Sequence, residues 1–215
     1  MKIFGIQFAP LDIPLERRLQ TLAAACWFGT LAFLPFIGLF TLIYFILFTR
    51  YWMFGLLYAT WICYDRKISE NGGRRFQWIR NWRWWHYFRY YFPLTLLKTA
   101  DLPPGRNYLL CTFPHGILCS GAFGVFATNH SDFAELYPGI VPYLVTISLH
   151  FFMPLSRELI LGVGGVSASR ESIMHLCNDQ KESKAVVLMV GGASEALKCH
   201  PGPYTIILNL MKSKF

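Results

Sequence analysis

Apolar positions along the chain follow two different patterns, and the change falls near residue 103. From Arg18 to Arg50, 31 consecutive residues carry no charge, and another 14 lie between Arg50 and Asp65. A helix needs about 20 apolar residues to cross a hydrocarbon core of about 30 Å, so the first run is more than long enough. Gly29, Pro35 and Gly38 interrupt it. Pro35 removes a backbone donor and crowds the preceding turn, which favours a kink or a reversal. Two arrangements fit: two short helices in a hairpin that turns near Pro35, or one helix to about Arg50 followed by a second, partial one. The buried hairpin of a soluble core would require more polar surface elsewhere to cover it. A cleaved signal peptide fits poorly, because the run far exceeds an apolar stretch of about 7–15 residues and continues through bulky aromatics.

Beyond residue 103 the apolar runs are short and separated by Gly, Pro and Ser. The pattern predicts strands over 107–112, 143–148, 184–190 and 205–210. Helices are predicted over 118–128, 155–161 and 170–177, the last capped by the Ser169 hydroxyl. Strands alternating with helices predict an α/β layer whose active residues sit on loops after strand ends.

Composition sharpens this picture. The 215 residues are 54% hydrophobic and 15% charged, with a formal net charge of +8, whereas soluble domains carry about 25% charged residues. A 17% aromatic content excludes a disordered chain, and six cysteines are too sparse for a disulfide-framed miniature. Residues 65–100 hold eight basic and two acidic side chains, while residues 101–215 hold eight of each. Trp78, Trp82, Trp84, Trp85, Phe88, Tyr90 and Tyr91 interleave there with Arg74, Arg75, Arg80, Arg83 and Arg89. Such a mixture suits lipid headgroups or single-stranded nucleic acid; contiguity with the apolar runs favours lipid and argues against nucleic acid. Basic residues on both sides of the apolar segment put both flanks in the cytosol by the positive-inside rule, with reduced cysteines. The predicted organisation is α/β with an N-terminal membrane helical hairpin: residues 1–64 form the tail and hairpin, 65–102 a basic aromatic interfacial segment, and 103–215 the α/β domain.

His115 is the first candidate for chemistry. It lies between Pro114 and Gly116 at a strand-to-helix junction, where an imidazole can accept a proton and helix N–H groups can stabilise an oxyanion; a solvated turn histidine fits the local pattern equally. Glu195 follows Gly191-Gly192 past the strongest strand. It is placed either to orient a histidine or contact substrate, or merely to complement a helix dipole. Arg157 and Arg170 suit a phosphate or a pantetheine-linked nucleotide, or else pair with Glu158 and Glu171. Residues 162–167 lack the third glycine of a dinucleotide loop. Cys111, His115 and Cys119 are spaced by four, but Pro114 breaks the helix such ligands need, so no metal site is expected. Ser120 lacks the context of a serine nucleophile.

An ordered series of short motifs then resembles one family. Tyr91-Phe92-Pro93, Lys98-Thr99, Asn107-Tyr108, Pro114-His115-Gly116-Ile117 and Gly121-Ala122-Phe123 are followed by Tyr137-Pro138-Gly139, Arg157-Glu158, Ser169-Arg170-Glu171-Ser172, Val190-Gly191-Gly192-Ala193 and Glu195. Together they look like the second diacylglycerol acyltransferase family, which includes monoacylglycerol and wax-alcohol acyltransferases. The resemblance implies an endoplasmic-reticulum membrane enzyme of neutral-lipid synthesis that also reaches lipid droplets. It implies acyl-CoA as co-substrate without a further cofactor, and an acylglycerol or long-chain alcohol as acceptor. His115 and Glu195 would be catalytic, and Pro114, Gly116, Arg157, Arg170, Gly191 and Gly192 would bind substrate. Membrane lipid and a homo- or hetero-oligomeric partner complete the expectation.

Two departures qualify it. Phe113 stands where the family has the first histidine of His-Pro-His-Gly. Family members also continue past the position of Phe215, which implies a truncated form with an incomplete catalytic domain. The alternative is therefore a catalytically inactive membrane or lipid-droplet hairpin protein. A phospholipid-pathway acyltransferase is disfavoured, because Cys119 and Ser120 stand where its acidic partner would follow the histidine.

Overall fold

The computed structural model describes residues 12–116 and 118–198, the backbone of 2–3 and 6–7, and positions 10, 200, 202 and 206. The predicted strand over 205–210 lies outside the described residues. Two short antiparallel strands, β1 (Lys2–Ile3) and β2 (Ile6–Gln7), precede the first helix.

Helix α1 (Leu15–Phe48) runs for 34 residues straight through Pro35. The chain turns at Thr49–Tyr51, and α2 (Trp52–Tyr64) folds back beside the end of α1. Gly55 lies so near Ile46 that a Cβ there would come within 2.7 Å of its Cγ1. Of the two arrangements open from sequence, the long helix followed by a partial one is therefore found, and the reversal at Pro35 is not. Tertiary packing outweighs the lost hydrogen bond: Pro35 sits against a wall that includes His150, Ser156, Leu159 and Ile160, and Gly38 meets the Pro154 carbonyl, where a Cβ would lie 2.1 Å from the oxygen. The inner part of α1 is docked by Ala23, Ala24 and Trp27, all buried. Its outer part and α2 expose Phe36, Phe40, Leu47, Phe48, Met53 and Phe54. An apolar surface of that extent is foreign to soluble monomers. Among the described residues, α1 is the one helix long and apolar enough to cross a membrane.

A 3-10 turn (Arg66–Ser69), α3 (Gln77–Arg80) and α4 (Arg83–Tyr91) follow. The segment expected to lie wholly at an interface is partly core. Ile79, Trp85, Phe88 and even Arg80 are buried, whereas Trp78, Trp82 and Tyr90 stay exposed. Trp27 of α1 stacks on Phe123 at 4.0 Å, and Trp85 and Phe88 close on the same ring at 5.3 and 5.5 Å. Residues 65–102 thus share one hydrophobic cluster with the α/β unit, because large rings gain most where they leave water together.

The α/β unit comprises β3 (Tyr108–Thr112), α5 (Ser120–Phe126), α6 (Phe133–Leu136), β4 (Ile140–Thr146), a 3-10 turn (Ser148–Phe151), α7 (Ser156–Gly162), β5 (Gly165–Ser167), α8 (Arg170–Asn178), β6 (Ser183–Met189) and α9 (Gly192–Ala196). Four strands form a parallel sheet in the order β3-β6-β4-β5. Thr112 pairs with Met189 and Thr146 with Ser167, and Leu144 pairs with Val187, so all four strands end along one edge. Ala185, Val187 and Leu144 face α1, α4 and α5. Val145, Val186 and Val166 face the opposite way and share a second cluster with Leu176 of α8. Strands covered on both faces read as continuous apolar runs, as β6 does; β3, at the sheet edge, leaves Leu109 and Cys111 exposed. The strand predicted over 143–148 begins three residues earlier, and β5 was not foreseen. Ser169 caps α8 as expected, accepting the Ser172 N–H at 3.2 Å.

Candidate active site

The loops after β3 and β6 lie side by side because those strands are neighbours. After β3 the chain passes through a cis Phe113–Pro114 peptide to His115. After β6 it turns at Gly191-Gly192 into α9, which carries Glu195. Glu195 is 2% exposed and folds back over Gly191; a Cβ on Gly191 would lie 1.9 Å from its Oε2. Oε2 accepts the backbone N–H of His115 in a short hydrogen bond. Glu195 therefore grips the main chain of His115, 80 residues away in sequence, and Gly191 supplies the room for that grip.

The imidazole has its own support. His115 Nδ1 lies 2.7 Å from the Gly116 carbonyl. A carbonyl can only accept, so Nδ1 carries the hydrogen and, in the neutral ring, Nε2 presents its lone pair. Cys119, at the start of α5 with φ +48, places Sγ 3.3 Å from both ring nitrogens. Burial, with the Glu195 charge adding to it, pushes the Cys119 thiol up to about 11, so it stays protonated at neutral pH and acts as a weak donor. The edge around the ring is apolar: Phe113, Leu118 and Val190 are exposed.

His115, Glu195, Pro114, Gly116, Gly191 and Gly192 are thus gathered in one place. Arg157 and Arg170 are not. Arg157 is 0% exposed. Its Nη2 lies 2.9 Å from Asp65 Oδ2 and its Nη1 2.6 Å from Glu158 Oε1, while Nε donates to the Phe151 carbonyl at 3.0 Å. The expectation that Arg157 holds a phosphate is corrected on this ground: every face of the guanidinium is engaged, and the residue ties α7 to the end of α2. The pairing with Glu158 foreseen as the alternative exists, but buried. Arg170 is exposed at the first turn of α8, beyond β5. With β6 and β4 intervening, three strand spacings separate β5 from β3, about 14 Å.

Two residues were missed. Cys119 stands at the i+4 position that sequence reasoning weighed only as a metal ligand. His150 also follows a strand end, with Nδ1 3.1 Å from Thr146 Oγ1; burial lowers its pKa from the ordinary histidine value. The signal for His150 was the same as for His115, a histidine shortly after an apolar strand.

The family model described as "Diacylglycerol acyltransferase" matches residues 44–214. The chain is 44% identical to 2-acylglycerol O-acyltransferase 1 of Bos taurus over 208 residues, covering 96% of this chain and 62% of that protein. It is 40% identical to diacylglycerol O-acyltransferase 2A of Umbelopsis ramanniana over 202 residues, 94% of this chain and 56% of the relative. Acyl-CoA wax alcohol acyltransferase 2 of Homo sapiens is 42% identical over 166 residues, 77% and 50% of the two chains. The chain spans about three fifths of the length of the first of these relatives. No solved structure matches. On a match to four fifths of its length and on identities of 40% and more, the chain belongs to the diacylglycerol acyltransferase family.

Proposed function

We propose that the protein transfers a fatty acyl group from acyl-CoA to the hydroxyl of an acylglycerol or long-chain alcohol at the endoplasmic-reticulum membrane. The observation that carries this reading is the presentation of the His115 Nε2 lone pair at an apolar edge, with the main chain of His115 held by Glu195. Nε2 takes the acceptor hydroxyl proton as the oxygen attacks the thioester carbonyl. The tetrahedral intermediate collapses, the C–S bond breaks, and the imidazolium returns the proton to the departing thiolate of CoA. No acyl-enzyme is needed. A general base of this kind contributes about 10²–10⁴-fold, and holding both substrates at the edge contributes further through orientation.

The strand-end loops expose Ile147, Leu149, Phe152 and Leu155 beside the apolar rim already described. In the proposed arrangement this edge and the outer part of α1 with α2 meet the same lipid, from which acceptor and acyl chain enter laterally. Both ends of the apolar segment then lie in the cytosol, and the acyl-CoA headgroup approaches from there. The test uses microsomes carrying the chain, labelled acyl-CoA and a panel of monoacylglycerols, diacylglycerols and long-chain alcohols. Product above the level of His115→Ala is expected for at least one acceptor. Equality with that background would overturn the proposal. A glycosylation acceptor at the C-terminus that becomes modified in the lumen would overturn the topology.

A further inference from the structure

A cavity of about 350 Å³ opens at the other end of the sheet, where β4 begins. Its wall includes Arg75, Arg80, Thr128, Ser131 and Tyr137, with Glu182 as its only carboxylate among the described residues. The length of β4 separates it from the strand ends that carry His115, on the order of 20 Å.

Its two arginines are unusual. Arg80 is 1% exposed and is held wholly by neutral oxygens: the Asn129 side chain at 2.9 Å and the carbonyls of Val163, Phe126 and Thr128 at 2.5, 3.0 and 3.3 Å. Arg75 donates from Nη1 to the Pro142 carbonyl at 3.0 Å, but its buried Nε has no hydrogen-bond partner among the described residues. Both side chains converge over Gly164: a Cβ there would lie 3.4 Å from Arg80 Nη1 and 3.5 Å from Arg75 Cγ. Glu182 offsets neither by a direct ion pair among the described residues. It accepts from the Tyr143 hydroxyl at 2.8 Å and faces Lys184 at 3.9 Å. Burial, and then the like charge of Arg75, pull Arg80 down from the ordinary arginine range; burial does the same to Arg75. Because arginine keeps its proton in proteins, a buried Arg80 beside a half-buried Arg75 is costly when the carboxylate that acts on Arg75, Glu182, makes no direct ion pair with either among the described residues. The vacant edge of Arg75, Nε with Nη2, is the planar fork that matches two oxygens of an oxyanion.

We infer that this cavity is an anion site for a phosphoryl group, seated on the Nε–Nη2 edge of Arg75 and neutralising Arg75 and Arg80 together. A phosphate dianion balances both cations, whereas a carboxylate balances one. The arginine pair suits the phosphoryl end of a headgroup or of a soluble phosphate ester, whose remainder would lie against Phe133, Ile140 and Val141 of the same wall. The site is independent of the acyl-transfer reading, and its occupation braces the junction between residues 75–80 and the start of β4.

The full chain in detergent micelles is titrated with inorganic phosphate against sodium chloride of equal ionic strength, following its unfolding temperature. A saturable rise with phosphate alone is expected. Arg75→Gln should weaken it about tenfold or more, the worth of a charge-assisted hydrogen bond. Glu182→Gln, a change at a half-exposed rim position, should strengthen it several-fold, and it decides the matter if Arg75→Gln does not fold. Adenosine 3′,5′-bisphosphate and phosphatidic acid in phosphatidylcholine nanodiscs form the two further arms. A response to either supports the site and identifies a soluble or a membrane source. No rise above chloride, an undiminished response in Arg75→Gln, or an unchanged or weaker one in Glu182→Gln overturns the proposal.

Discussion

The carboxylate of Glu195 accepts the peptide N–H of His115. The proposed base is therefore positioned through its backbone, while its tautomer is set separately by the Gly116 carbonyl. Glu195→Ala leaves that N–H without its acceptor and should cost about 1–3 kcal/mol of stability, with acyl transfer falling toward the His115→Ala level. Glu195→Gln keeps an acceptor oxygen and should retain more of both. Turnover and thermal unfolding measured on the two variants check this.

Adjacent glycines should behave differently. Alanine at 191 would put its Cβ 1.9 Å from Glu195 Oε2, so Gly191→Ala must displace the carboxylate and reproduce the catalytic defect of Glu195→Ala. Gly192 has φ +56 and open space around it. Gly192→Ala should cost about 1–2 kcal/mol of backbone strain while leaving much of the turnover. Equal turnover in the two variants would contradict the assignment of Gly191 as the seat of Glu195.

Arg157 joins the domain to the membrane-proximal helix pair. Removing one partner of a buried pair typically costs about 3–5 kcal/mol. Asp65 also keeps Arg74 at 2.6 Å, so Arg157→Met should fall near the lower end of that range. Replacing Asp65 as well should recover part of the loss. A double-mutant cycle on chemical unfolding in micelles reads the coupling.

Cys119 gives a pH-dependent signature. Its folded-state pKa is raised to about 11, against about 8.5 for an ordinary thiol. Its contribution to stability is therefore complete below about pH 8.5 and is lost as the pH rises through about 11. Alkylation at pH 9, followed by mass spectrometry, should modify exposed Cys111 well before Cys119. Glu195→Gln should speed labelling of Cys119, since the Glu195 charge is one of the two causes of the shift.

Sequence and structure agree most closely where local pattern and burial coincide. The strand near 184–190 is covered on both faces and its uninterrupted apolar run announces it; β3 is an edge strand with Leu109 and Cys111 exposed, and its short apolar run before Pro114 announces it. Ser169 shows its role because a cap needs only its own neighbours. β5 is three residues long and begins at a glycine, too little chain for a period to register. The path of α1 through Pro35 depends on what packs beside it, and no local rule reports that. The arginines were least legible. Arg80 read as part of an interfacial segment and Arg157 as a phosphate ligand or a partner of Glu158, yet both are buried by partners 46 to 92 residues away. His115 and Glu195 were visible as separate candidates, but their bond requires β3 and β6 to be neighbours, a fact of topology rather than of spacing.

Helix α1 carries one more consequence. Its 34 residues rise about 51 Å, well beyond the about 30 Å of a hydrocarbon core. Trp27 anchors one end against Phe123 and the other end is immersed in whatever covers Phe48. Because the helix is unbroken between them, a residue count sets both the depth and the compass bearing of the strand-end edge. Inserting one residue between Gly38 and Phe48 would swing the outer turns by about 100° while leaving the docked part untouched. In the proposed arrangement the helix thus acts as a ruler, and a length change far from His115 would move the waterline at which His115 is proposed to work.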